Sequence, residues 1–256
     1  MSQNPHHAPP SAADAALKTE EAHVPAEPVT AVMVGATGLV GKALLHELLA
    51  STDYAKIRAL VRRPIEPHPK LEARVVDFEN PGSWEDALDA HHVFCTLGTT
   101  LKKAGSNAAF RKVDLELPLE LARRARQHGA TALFVVSALG ADPASKVFYY
   151  RVKGELEREL KELGYPTLAI FRPSILTGQR SEARPGERFG IAAAKTVAPL
   201  LVGSLRKLRP IPAQNVARAM ATVARTAIAS RDPLGFAIYE SDAVAELSAP
   251  APRAGT

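Results

Sequence analysis

Short runs of apolar, often β-branched residues alternate along the chain with longer stretches in which apolar positions recur at helical spacing. Residues 30–35 form the first apolar run and predict a strand. In residues 39–50 the apolar positions 39, 40, 44, 45, 48 and 49 mark one face of a helix. Strands are predicted at 56–61 and 73–77, then a short helix at 84–88 behind the breaker Pro81-Gly82, then a fourth strand at 92–97. A long helix is expected over 107–128, closed by Gly129 and kinked at Pro118. The fifth strand is 131–137. A helix over 142–163 follows, with Asp142 at its N-cap, Pro143 in its first turn and Gly164 closing it. A sixth strand is 167–171. Residues 186–241 read as helical with a short strand near 236–239, the position of a substrate lid. Strands alternating with helices imply a parallel sheet with right-handed crossovers, a doubly wound α/β fold. Residues 1–28 and 243–256 lack apolar periodicity and are expected to be disordered tails around a single domain at 29–242.

Composition narrows the function classes. The 256 residues are 46% hydrophobic and 23% charged, an ordinary globular mixture. The single cysteine, Cys95, excludes an intramolecular disulfide and a Cys-based zinc site, and its place inside a strand predicts a buried, inert thiol. His6, His7 and His23 match no metal-ligand spacing, so no metal is expected. The first seven residues carry no basic segment before an apolar stretch, and the apolar run at 189–203 is interrupted by Lys195 and Pro199. Neither a secretory signal nor a transmembrane segment is expected, and a cytoplasmic location follows as the default.

The formal net charge is +5. Residues 1–28 carry Lys18 against Asp14, Glu20, Glu21 and Glu27, a local charge of −3, which leaves +8 on the remainder. Arg123, Arg124, Arg126, Arg206, Lys207 and Arg209 would be the candidate patch for a nucleic acid. With aromatics at 5% and no binding motif, scattered surface arginine is the better reading and no nucleic-acid partner is expected.

Candidate chemistry begins at Gly35-Ala36-Thr37-Gly38-Leu39-Val40-Gly41, between the first strand and the first helix. Gly35 permits a sharp turn, Gly38 lets backbone approach a pyrophosphate, and Gly41 lets the helix pack on the strand. The helix N-terminus then offers free N–H groups to phosphate. The surrounding strand–helix–strand order supports a dinucleotide-binding (Rossmann) unit. The second strand ends in Arg62 and Arg63, where NAD binders carry a carboxylate for the ribose 2′-hydroxyl. Guanidinium groups there favour the 2′-phosphate, so the expected cofactor is NADP(H). Asp77 and Phe78, at the end of the third strand, are expected to border the adenine.

Tyr149 and Lys153 lie four residues apart on one helix and face the same side, whereas Tyr150 has Gly154 at the matching position. Ser137 ends the preceding strand, at the rim where such sheets bind ligands. A carbonyl that accepts a hydride must also accept a proton. Tyr149 can donate it, Lys153 is expected to lower the tyrosine pKa and hold the nicotinamide ribose, and Ser137 can orient the carbonyl oxygen.

These features resemble the short-chain dehydrogenase/reductase superfamily in its atypical branch. The strings Cys95-Thr-Leu-Gly-Thr-Thr, Lys102-Lys-Ala-Gly, Phe110-Arg-Lys-Val-Asp114, Gly140-Ala-Asp142, Arg151-Val-Lys-Gly-Glu155, Phe171-Arg-Pro173 and Arg184-Pro-Gly-Glu187 are similar to the HIV Tat-interacting oxidoreductase family. The resemblance covers about residues 30–240 and implies an NADP-binding Rossmann fold. It places Thr37, Leu39 and Val40 near the pyrophosphate, Leu97, Gly98 and Thr99 beside the cofactor, and Pro173 and Ile175 at the nicotinamide. Two positions depart from the pattern: Asp114 stands near the place where many members carry an asparagine in a proton relay, and Arg172-Pro173-Ser174 replaces Arg-Pro-Gly.

The sequence therefore predicts an NADP-dependent oxidoreductase acting on a small-molecule carbonyl or hydroxyl substrate, as a monomer or homodimer. The alternative is a module that senses NADP(H) without turnover and signals to a protein partner through residues 186–212, where Ile191–Val202 forms an apolar helical stretch.

Overall fold

The computed structural model describes residues 29–178, 203–230 and 232–249. The parts of the expected tails at 1–28 and 250–256, the Arg184-Pro-Gly-Glu187 string and the apolar stretch 191–202 lie outside the described residues.

Seven parallel strands form one sheet. In chain order they are β1 (Val29–Val34), β2 (Tyr54–Val61), β3 (Leu71–Val75), β4 (His92–Cys95), β5 (Ala132–Val136), β6 (Thr167–Arg172) and, last, Gly235–Glu240. Their spatial order is β3-β2-β1-β4-β5-β6 followed by the Gly235–Glu240 strand, which pairs in parallel with β6. Between β6 and that strand, Leu176–Thr177 (β7) and Ile211–Pro212 (β8) make a separate parallel pair, so Gly235–Glu240 is β9. The doubly wound parallel sheet expected from the β/α alternation is present.

Helices cover both faces, because parallel strands must be joined by crossovers. Helices α1 (Leu39–Ala50) and Ala213–Ala229 bury Leu44, Leu48, Val216, Met220 and Val223 against Met33, Phe94, Phe134 and Phe171 on one face. Helices Leu117–Gln127 and Phe148–Glu162 cover the other, with Leu121, Val152, Leu156 and Leu160 against Val32, Val93, Leu133 and Ile170. The central strands β4 and β5 are buried throughout, which is why they read as continuous apolar runs.

Three expectations need correction. The helix expected over 107–128 is preceded by a separate turn, α2 (Leu101–Ala104), and runs without a gap as α3 (Asn107–Arg111), a π-helical turn at Lys112–Glu116 and α4 (Leu117–Gln127). Its irregularity is that π-turn. Pro118 is the second residue of α4, directly after that π-turn. The helix expected from Asp142 begins six residues later, as α5 (Phe148–Glu162). Asp142 instead closes a local turn, its Oδ1 accepting the Ala144 N–H at 2.8 Å, and its own N–H bonds the Tyr150 carbonyl at 3.1 Å. The loop folds back so tightly that a Cβ on Gly154 would lie 2.2 Å from Asp142 and Pro143 backbone. Finally, the expected C-terminal tail starts too early. After α6 (Ala213–Ala229) and β9, residues Ser241–Leu247 form α7 and bury Val244 completely.

At the N-terminal end of the sheet, His92 lies in an aromatic cluster with Tyr54, Phe94 and Phe134 and shares a 2.9 Å hydrogen bond between its Nδ1 and the Tyr54 hydroxyl. Burial pushes its pKa down to about 4. The unfolded chain then binds a proton at His92 between about pH 6.5 and 4 that the folded chain refuses, so stability falls as pH drops through that window. Urea midpoints from pH 7.5 to 4 should show a loss of up to about 3 kcal/mol from this group, absent in His92→Phe.

Candidate active site

Every strand of the large sheet runs the same way, so all its C-terminal ends share one edge. The candidate residues follow those ends. Arg62 and Arg63 leave β2, Asp77 and Phe78 follow β3, the glycine loop leaves β1, Leu97 to Thr99 follow β4, Ser137 leaves β5, and Pro173 and Ile175 follow β6. From β2 to β6 is four strand spacings, or about 19 Å, a width suited to an extended two-part ligand crossing the ends of β1 and β4.

The glycine loop shows why the sequence turns there. Gly35 has φ +85°, and a Cβ on it would come 2.7 Å from the Thr96 backbone carbon. A Cβ on Gly41 would stand 2.0 Å from the Gly35 carbonyl oxygen, so this glycine lets α1 lie directly on the strand end. Gly38 is the N-cap of α1, with its N–H bonded to the Gly35 carbonyl at 2.9 Å. No side chain caps α1 and its first turn holds no acidic residue. Thr37 and Gly38 are exposed, Leu39 is half-buried and Val40 is buried. Among the described residues this leaves an open, positively polarised helix end beside the ends of β1 and β4, of a kind that can accept a phosphate group.

On the flanks, Arg62 and Arg63 are both exposed. Asp77 uses its Oδ1 on the Glu79 N–H at 3.0 Å, and Phe78 packs on the core beneath. Pro173 is buried and accepts the Leu139 N–H at 3.0 Å, while Ile175 is 53% exposed.

Helix α5 carries Tyr149, Lys153 and Glu157 at four-residue spacing on one face. Lys153 is buried, with its Nζ 2.7 Å from Asp114 Oδ1. Asp114 projects from the π-turn, is fully buried, and uses Oδ2 to accept the Thr99 N–H at 2.8 Å. It thus ties the loop after β4 to the lysine. Burial alone would lower the Lys153 pKa, but Asp114 and Tyr149 outweigh it, and the net direction is upward. The Tyr149 ring lies 5.7 Å from Phe110 and 5.4 Å from Tyr150. Its pKa is not lowered, as spacing alone suggested, but raised: burial dominates and Asp114 opposes the pull of Lys153.

Ser137 is buried and donates its hydroxyl proton to Glu157 Oε1. Glu157 is gripped by Arg172, whose Nε lies 3.0 and 3.1 Å from the two carboxylate oxygens and whose second nitrogen also bonds Oε2. To orient a carbonyl oxygen, the Ser137 hydroxyl must turn away from Glu157. Sequence reasoning missed the roles of Glu157 and Arg172. The i, i+4, i+8 stripe through Tyr149 and Lys153 was the available signal for Glu157, whereas the Asp114 contact depends on a π-turn that no pattern announced. Cys95 is buried as expected, and burial pushes its thiol up to about 11.

The three-glycine turn feeding an open helix end, on a sheet ordered β3-β2-β1-β4-β5-β6, is the arrangement that seats dinucleotides. The family model described as NAD(P)H-binding matches residues 35–227, three quarters of the chain. The chain belongs to this NAD(P)H-binding family. Protein HTATIP2 of Rattus norvegicus is 38% identical to this NAD(P)H-binding protein over 60% of this chain and 66% of the rat chain. Protein FMP52, mitochondrial, of Coccidioides immitis is 38% identical over 60% of this chain and 69% of its own. The chain thus spans about two thirds of the length of these relatives. With them it groups as an atypical short-chain dehydrogenase/reductase resembling HTATIP2. Among solved structures, MoeE5 in complex with UDP-glucose and NAD superposes with a TM-score of 0.60 over 86% of this chain and 80% of that one, at 16% identity, a likeness of fold alone. Among the described residues, no helix is long and apolar enough to cross a membrane.

If Gly41 is held by contact with the Gly35 carbonyl, Gly41→Ala should lower unfolding stability by about 1–3 kcal/mol or more. Gly82→Ala, whose Cβ meets its nearest neighbour at 3.4 Å, should cost less than about 1 kcal/mol in the same chemical denaturation series.

Proposed function

We propose that the protein is an NADP-dependent oxidoreductase that reduces a small-molecule carbonyl compound. The observation that carries this reading is the Tyr149–Lys153 pair at the same sheet edge as the open glycine-loop helix end. The bound dinucleotide supplies the hydride. Gly35, Thr37, Gly38, Leu39, Val40 and Gly41 surround its pyrophosphate, Arg62 and Arg63 take the 2′-phosphate, and Asp77 and Phe78 border the adenine. Leu97, Gly98 and Thr99 flank its middle, and Pro173 and Ile175 border the nicotinamide. Lys153 holds the adjoining ribose, Tyr149 gives its phenolic proton to the substrate oxygen, and Ser137 orients that oxygen. The lid expected over 186–241 does not include α6, which packs in the core, or β9, which is a strand of the sheet; the cytoplasm remains the proposed compartment, although the fungal relative FMP52 is named mitochondrial.

One observation favours a second reading. The Ser137 proton is already given to Glu157 and the Lys153 charge to Asp114, an arrangement that also suits a cofactor sensor with a protein partner. Absence of turnover across a broad carbonyl panel, with NADPH bound, would select it.

NADPH should bind more tightly than NADH in a fluorescence titration. Arg62→Asp should weaken NADPH by about tenfold or more, since a charge-assisted bond is worth about 1.5–3 kcal/mol, and should leave NADH almost unchanged. Loss of neither preference nor affinity would remove the arginines from the cofactor site. Tyr149→Phe should lower kcat by about 10²–10⁴ with NADPH binding retained, and equal turnover would exclude Tyr149 as the acid.

A further inference from the structure

Asp114 is not explained by cofactor binding alone. It is a fully buried carboxylate whose one oxygen faces Lys153 at 2.7 Å and whose other is fixed by the Thr99 N–H at 2.8 Å. It is delivered by a π-helical turn, a costly local form often found where a site needs one side chain displaced. Among the described residues, the charged or titratable groups that face Tyr149 are Lys153 and Tyr150 on its own helix and Asp114 on the turn packed against it. Those that face Lys153 are Asp114, Tyr149 and the Cys95 thiol.

We propose that Asp114, by closing the Lys153 ammonium into an ion pair, makes Tyr149 a proton donor and a poor proton acceptor, so that the site is set for carbonyl reduction. This deepens the oxidoreductase reading and rests on it. In reduction, the carbonyl carbon gains a hydride, with its two electrons, from a reduced nicotinamide dinucleotide as the C–O π bond opens. The Tyr149 O–H bond breaks and its proton joins the oxygen. The product is an alcohol, and the tyrosinate left behind recovers a proton from water. The reverse reaction needs Tyr149 ionised before the alcohol arrives. A free ammonium beside the ring would favour that ionisation, and a buried carboxylate 2.7 Å from the ammonium opposes that help. Burial is the largest cause of the upward shift at Tyr149, and Asp114 adds to it by opposing the pull of Lys153.

Ultraviolet titration of tyrosinate absorbance in the full chain reads that proton directly, with Tyr149→Phe subtracted to isolate the residue. In the wild type Tyr149 should ionise above about pH 10. In Asp114→Asn its midpoint should fall by about one unit or more, at least a tenfold gain in ionisation constant. An unchanged midpoint overturns the proposal. The double variant Asp114→Asn/Lys153→Met covers the case in which the single variant does not fold. Removing two charges that cancel should leave the Tyr149 midpoint within about 0.5 unit of wild type, whereas a rise of about one unit or more shows the lysine acting unopposed and overturns the proposal. An NADPH titration of the same wild-type sample separates the two claims: failure to bind withdraws the oxidoreductase reading, while the tyrosinate midpoints still decide what Asp114 does to Tyr149.

Discussion

The meeting of Gly35 with Gly41 sets the geometry of the whole sheet edge. A Cβ on Gly41 would sit 2.0 Å from the Gly35 carbonyl oxygen, so α1 can rest on the end of β1 only with glycine there. Close packing of α1 lets Leu44 and Leu48 bury against the sheet and lets α6 pack beside them, with Val216, Met220 and Val223 in the same core. The same contact sets the open end of α1 beside the ends of β1 and β4, between the β2 arginines on one side and Ser137, Tyr149 and Lys153 on the other. Widening that contact would move the phosphate site and the core together.

A second constraint comes from buried charge. Lys153 and Asp114 are almost wholly removed from water, and so is Glu157. Each unpaired would be expensive, and removing one partner of such a pair typically costs several kcal/mol because the other charge stays buried. Pairing therefore fixes geometry. Asp114 joins the loop after β4 to α5, and Glu157 with Arg172 joins α5 to the ends of β5 and β6. The two pairs hold the candidate catalytic face of α5 against the part of the sheet edge proposed for the nicotinamide. The simple picture of a lysine lowering a neighbouring tyrosine fails on that face, because burial dominates at Tyr149 and the carboxylate beside Lys153 opposes the pull of the lysine.

Much of the architecture was legible in the chain because its signals are local. The apolar spacing at 39–50 matched α1 in full, and the continuous apolar runs at β4 and β5 marked strands buried on both faces. The misreadings fell where tertiary contact overrode a local preference. Asp142 and Pro143 carry good helix-start chemistry, yet the approach of Gly154 to their backbone and the bond from Asp142 to Tyr150 hold them in a loop. Ala243 to Leu247 lie next to a polar, proline-rich end, yet the Val244 side chain finds the core beside α6 and orders a helix.

By itself the sequence determined the β/α alternation, the three-glycine turn, the paired arginines after β2 and the Tyr149–Lys153 spacing, since each needs only neighbours a few residues away. Only the tertiary structure decided the protonation partners. Asp114 lies 39 residues from Lys153 and Ser137 lies 20 from Glu157. Whether such charges and hydroxyls meet depends on where a π-turn and a strand end come to rest on α5, which no local period encodes. Burial then fixes their energies, and burial is a property of the packed sheet and helices together.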